Sequence, residues 1–103
     1  MEPGKLAAQA GHAFVDAIRA CKDTERLSAY HGKFHGIKVV LCARNLNHLR
    51  HAYEAVNAMG YPCALVTDLG YTVFNGVPTI TAVGIGPARR SEINNIIKKY
   101  KLL

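Results

Sequence analysis

Near the start of the chain the apolar residues Leu6, Ala10, Ala13, Phe14, Ala17, Ile18 and Cys21 recur at helical spacing. The opposite stripe is polar, running through Lys5, Gln9, His12, Asp16 and Arg19, so the pattern predicts one amphipathic helix over roughly residues 5–21. Its many small residues, among them Ala7, Ala8 and Gly11, suit it to lie close against a sheet. A polar, glycine-containing stretch from Lys22 to Gly36 breaks the period. The run Ile37-Lys38-Val39-Val40-Leu41-Cys42 is short, rich in β-branched residues and bounded by Gly36 and Asn45, which predicts a strand.

Asn45 is the expected N-cap of a second helix, whose Leu46, Leu49, Tyr53, Val56 and Met59 hold the period until Gly60 stops it. Cys63 to Val66 and Thr79 to Ile85 read as two further strands. Ser91 and Glu92 open a last helix carrying Ile93, Ile96 and Ile97, followed by a basic tail with Lys98, Lys99 and Lys101. Helix, strand, helix, strand, strand, helix predicts an α/β fold: one domain over residues 1–103, three layers α/β/α, with a small mixed β-sheet.

The 103 residues are 50% hydrophobic and 19% charged, a composition that excludes long disorder. No apolar run approaches the about 18 residues of a membrane span, and no secretory signal opens the chain. Thirteen Lys and Arg against seven Asp and Glu leave a net charge of +6, which favours an anionic partner, nucleic acid before a membrane surface. Cys21, Cys42 and Cys63 form neither a CxxC pair nor a disulfide framework, so free thiols in a reducing cytoplasm are expected.

Among candidate chemistry, Lys5 opposes the positive end of its helix dipole, at a cost of about 0.3–1 kcal/mol. Rules of this kind tend to be broken at functional sites, although on composition alone a solvated lysine on a fraying end is the favoured reading. Asp68 ends a strand, where α/β sheets gather ligands, or it caps a tight Asp-Leu-Gly turn. His12 and Gln9 share the Lys5 face, and a histidine there is also suited to solvent or to Asp16. The spacings His31/His35 and His48/His51 come without a Cys or carboxylate at ligand distance, so a zinc site is not expected. Gly84-Ile85-Gly86 lacks the third glycine of a dinucleotide loop, and neither a Walker lysine nor a GxSxG elbow is present.

Taken in order, these segments resemble the type 2 peptidyl-tRNA hydrolases. Gly4-Lys5-Leu6-Ala7-Ala8-Gln9 followed by His12-Ala13 is similar to the family's G-K-x-A-A-Q-x-x-H-A opening. Lys38-Val39-Val40-Leu41 matches its K-V-V-L strand, and Leu65 to Thr72 its L-V-x-D-A-G-x-T loop, with Leu69 in the usual alanine's place. Thr79-Ile80-Thr81 through Ile85-Gly86-Pro87 follows the strand from G-T-x-T to I-G-P, and Lys101-Leu102-Leu103 the K-L-L ending. Departures are Pro78 for a glycine, a loop from Asp68 to Thr79 one residue longer, Asn94 for an aspartate and Ile97-Lys98 for Thr-Gly. Family members also carry a strand before the Gly-Lys helix, and Met1 falls at a methionine usual in the loop after it, so the resemblance implies a chain short of that strand.

The resemblance implies hydrolysis of the ester between peptide and tRNA, with peptidyl-tRNA as partner, in the cytoplasm and away from membranes. It implies catalytic roles for Lys5, Asp68, Thr72 and Thr79. Asp68 would orient or deprotonate water, Lys5 would hold Asp68 ionised and face the developing oxyanion, and the two threonines would offer hydroxyls. Gln9 and His12, with Arg89 and Arg90, are the expected substrate-binding residues. No metal or cofactor is needed. A non-catalytic tRNA- or protein-binding module on the same fold is the alternative, and the oligomeric state, a homodimer included, stays open.

Overall fold

A computed structural model describes residues 2–32, 35–68 and 78–103. Helix α1 (Pro3–Ala20) begins with a proline at its first helical position, where the absent N–H costs nothing and the fixed φ suits the turn. It is followed by α2 (Thr24–His31), β1 (Leu41–Cys42), α3 (Leu46–Ala58), β2 (Cys63–Asp68), β3 (Thr79–Ile85), α4 (Arg90–Ile97) and β4 (Lys101–Leu102). Asn45 caps α3 as its sequence predicts, its side-chain oxygen accepting from the His48 N–H at 2.8 Å. Gly60, at φ 83°, takes the left-handed conformation that ends the helix.

Strands β2 and β3 pair antiparallel, with Ala64 opposite Gly84, Val66 opposite Ala82 and Asp68 opposite Thr79. Directly opposed residues share a sheet face. The face with Ala64, Val66, Asp68, Ala82 and Gly84 receives α1, which brings Ala13 and Ala17 into the core. Period-2 alternation leaves Cys63, Leu65, Val83 and Ile85 for the other face, and α3, with buried Ala52 and Val56, also packs on this hairpin. Helix, sheet and helix thus form three layers, as expected of an α/β fold.

The expected mixed sheet is corrected. Among the described residues the strands form two separate antiparallel pairs, β2 with β3 and β1 with β4. The strand expected over Ile37 to Cys42 contracts to Leu41 and Cys42, because its partner β4 is only two residues long. One further bond, Leu103 N–H to the Val40 carbonyl at 3.0 Å, extends the contact, while Ile37 stays 89% exposed. Tyr100 anchors the tail by stacking on His48 at 4.0 Å between centroids and donating its hydroxyl to the His48 carbonyl at 2.6 Å.

Helix α2 lies in the stretch that shows no helical period. Asp23 caps it by accepting from the Arg26 N–H at 3.1 Å. Arg26 then ties it to α4, donating from both terminal nitrogens to Glu92 at 2.6 and 3.0 Å and from Nη1 to the Pro87 carbonyl at 3.2 Å. Hydrogen bonds from Arg26 and from the Arg89 N–H pull the Glu92 carboxyl from its ordinary 4.5 to about 2. A carboxyl depressed on folding contributes stability that is complete above its unfolded value and lost as pH falls through its folded one. Melting temperature should therefore decline from about pH 4.5 toward about pH 2, and Glu92→Gln should flatten that decline while lowering stability at neutral pH. Parallel pH titrations of melting temperature for the two chains check this.

Candidate active site

Among the described residues, two polar side chains are buried on the α1 face of the hairpin: Gln9 at 5% exposure and Asp68 at 8%. A buried carboxylate is tolerated only when paired and hydrogen-bonded. Lys5, one helical turn before Gln9, forms an ion pair with Asp68 Oδ2. Gln9 Nε2 approaches the same oxygen at 3.4 Å, the long end of hydrogen bonding, and the Thr81 hydroxyl donates to Gln9 Oε1 at 2.6 Å. Lys5 and Gln9 meet one carboxylate because residues four apart share a helix face. The first turn of α1 contains no acidic residue, so Asp68 supplies the anion that both Lys5 and the helix N-terminus favour.

The sheet positions the other half. Asp68 is the last residue of β2 and Thr79 the first of β3, and they are opposite each other across the ladder. Between them and the core the register shifts: Val66 pairs with Ala82 but Thr67 pairs with Ile80, leaving Thr81 as an extra residue on β3. This is a β-bulge. Counted back from Gly84 and Ala82, strict alternation would bring Ile80 toward α1 and turn both Thr79 and Thr81 away. The bulge resets the parity, so Thr79 lies across from Asp68 and Thr81 reaches Gln9.

The structure thus brings together Lys5, Gln9, Asp68 and Thr79 from the sequence-predicted set, and Thr72 lies outside the described residues. His12 continues the Lys5–Gln9 stripe and is exposed. Arg89 and Arg90 are not brought to the cluster. They follow the far end of β3, whose seven residues carry Ile85 roughly 20 Å from Thr79, and the Gly86 N–H there bonds the Pro62 carbonyl just ahead of β2. Thr81 is the site residue that sequence reasoning missed. Its signal was a polar side chain two positions after Thr79, hence on the same strand face, among Ile80, Ala82 and Val83.

Chemically, the cluster offers a carboxylate, an ammonium, an amide donor and hydroxyls at one rim of the sheet. Cys63 stands at the opposite end of β2, where burial pushes its thiol up and away from the nucleophilic thiolate. His48, one of the spaced histidines, has its Nδ1 occupied by the Arg44 N–H at 3.0 Å. Among the described residues no group of three or more His, Cys, Asp or Glu is placed to hold a metal ion. The arrangement suits activation of water by Asp68 beside a fixed positive charge.

Comparison with known proteins points the same way. The chain matches the family described as peptidyl-tRNA hydrolase PTH2 over residues 1–103. It is similar to the peptidyl-tRNA hydrolase of Methanococcus vannielii, 38% identical over 104 residues that span 100% of this chain and 89% of the relative. That of Methanothermobacter thermautotrophicus is 38% identical with the same coverage, and that of Methanocaldococcus jannaschii 33% identical, covering 100% of this chain and 90% of its own. With the full chain matched and its cluster assembled from the motifs that carry the likeness, the protein belongs to the PTH2 family of peptidyl-tRNA hydrolases.

Proposed function

We propose that the protein hydrolyses the ester joining a peptide to the 3′ ribose of tRNA, with Asp68 acting on the attacking water. The observation that carries this reading is the buried Asp68 carboxylate held at the start of α1 by Lys5 and Gln9. Asp68 takes a proton from water as the oxygen attacks the ester carbonyl. The tetrahedral oxyanion that forms needs nearby positive charge. An ammonium has three donors, so Lys5 serves the oxyanion while keeping its pairing with Asp68. Collapse expels the ribose oxygen, which receives the proton from Asp68, giving free tRNA and a free peptide carboxyl.

Thr79, across the ladder from Asp68, orients the water or the ribose end, and Thr72 has the same role by resemblance. His12, exposed on the same helix stripe, lies on the substrate side. Arg89 and Arg90, exposed at the start of α4, meet tRNA phosphates away from the reacting ester. The reaction as derived draws on these side chains alone. We place it in the cytoplasm, where such esters arise; among the described residues no helix is long and apolar enough to cross a membrane.

The test is hydrolysis of a purified N-blocked aminoacyl-tRNA by this chain, with tRNA binding followed in the same samples. Release of the blocked amino acid is expected, and binding without release would assign a non-catalytic module instead. Because the chain carries +6, affinity should fall steeply between about 50 and 200 mM salt as counterions are released from the phosphates. Affinity that stays flat over that range contradicts a phosphate-dominated interface.

A further inference from the structure

We infer that Thr81 is a positioning residue for the hydrolytic reaction: its hydroxyl fixes the Gln9 amide so that a donor faces Asp68. The inference rests on the proposed role of Asp68 and adds a residue that acts on it through Gln9.

The polarity of hydrogen-bonding groups fixes which way the Gln9 amide faces. An ionised carboxylate only accepts, so Asp68 Oδ2 requires the amino end of the Gln9 amide, as observed at 3.4 Å. That orientation leaves Gln9 Oε1 pointing away from Asp68 inside a residue that is 5% exposed. A buried carbonyl oxygen without a donor is costly. The Thr81 hydroxyl meets the need at 2.6 Å, much the shorter of the two bonds that hold the amide. The relay therefore runs one way, from Thr81 to Gln9 to Asp68.

Thr81 reaches Gln9 because it is the extra residue of the β3 bulge. Bulges of this kind re-aim a side chain, and they recur beside active sites. The bulge serves two ends at once here, setting Thr79 opposite Asp68 and delivering Thr81 to the amide behind it. With the hydroxyl gone, the long bond to Oδ2 is what holds the amide among the described residues. It then turns toward water and withdraws its donor from the carboxylate.

Four outcomes test the role. Thr81→Val should lower kcat between roughly 10- and 100-fold with KM nearly unchanged, because the loss is of geometry at the reacting centre. Losing a donor to the carboxylate should also move the acidic limb of its pH–rate profile to higher pH, which a purely structural role would not do. Thr81→Ser, which keeps the hydroxyl, should restore both. In a Gln9→Ala background Thr81→Val should have no further effect, because the two residues act in series.

Additive effects in that cycle, or a valine variant with the parent's kcat and pH profile, would overturn the inference. Should valine crowd the bulge and unfold the chain, Thr81→Ala against Thr81→Ser carries the same comparison, and equal loss in both overturns it. Asp68→Asn is the control that separates the two levels. An active Asp68→Asn chain overturns the site reading itself, whereas an inactive one beside a fully active Thr81→Val chain overturns only the role of Thr81.

Discussion

Asp68→Asn is expected to lower the rate of peptidyl-tRNA hydrolysis by between about 10²- and 10⁴-fold, the range for removing a positioned general base. The substitution keeps the shape of the side chain and an oxygen for the Gln9 donor. It removes the charge that pairs with Lys5 and the capacity to take a proton from water. Folding should survive, because the Lys5 side chain is 24% exposed and its ammonium can turn to water once its partner is neutral. Binding of tRNA should stay equal or tighten, since a negative group near a polyanion is lost. A rate within a few-fold of the parent would remove Asp68 from the chemistry. Activity lost together with tRNA binding would make its role one of recognition.

The second large effect concerns stability. Gly84 is buried opposite Ala64 on the α1 face of the hairpin. A Cβ there would run into the Ala13 carbonyl oxygen and lie 2.9 Å from its carbon and 3.0 Å from the Ala17 Cβ. Two of these three neighbours are helix backbone, which yields only if α1 moves as a unit. Gly84→Ala should therefore fall at the upper end of the about 1–3 kcal/mol usual for overpacking. For a domain of this size that corresponds to roughly 10–20 °C in melting temperature. Activity should fall as well, because Lys5 and Gln9 ride on the helix that is pushed away. Thermal unfolding of the purified variant checks this, and an unchanged melting temperature would mean that α1 does not lie this close to the sheet.

Much of the site was legible because its chemistry follows local periods. Lys5 and Gln9 share a face by the helical repeat, and Asp68 ends a strand whose apolar run is evident. Their meeting was not legible from spacing alone, since nothing local brings residue 68 to the first turns of α1. The family likeness carried that step. Thr81 escaped notice because its partner lies 72 residues away and its placement depends on the bulge, for which the sequence has no marker.

Elsewhere the limit was length and tertiary context. Helix α2 has only Leu27 and Tyr30 as half-buried apolar residues, too few to show a period, and its cap at Asp23 was the available signal. Its attachment through Arg26 to Glu92 spans 66 residues. The strand expected over Ile37 to Cys42 has the right composition, but a strand exists only as far as it finds a ladder, and β4 offers two residues. The expected mixed sheet failed for the same reason: strand direction and partner are set by chain topology, not by the residues of the strand.

The most direct test is single-turnover release of an N-blocked amino acid from tRNA, with enzyme in saturating excess, for the parent chain and Asp68→Asn side by side. Saturation removes differences in binding, so the rate reports the chemical step. We predict rapid release by the parent and, from a folded Asp68→Asn chain that still binds tRNA, release slower by at least about 10²-fold. Equal rates for the two would contradict the assignment of water activation to Asp68.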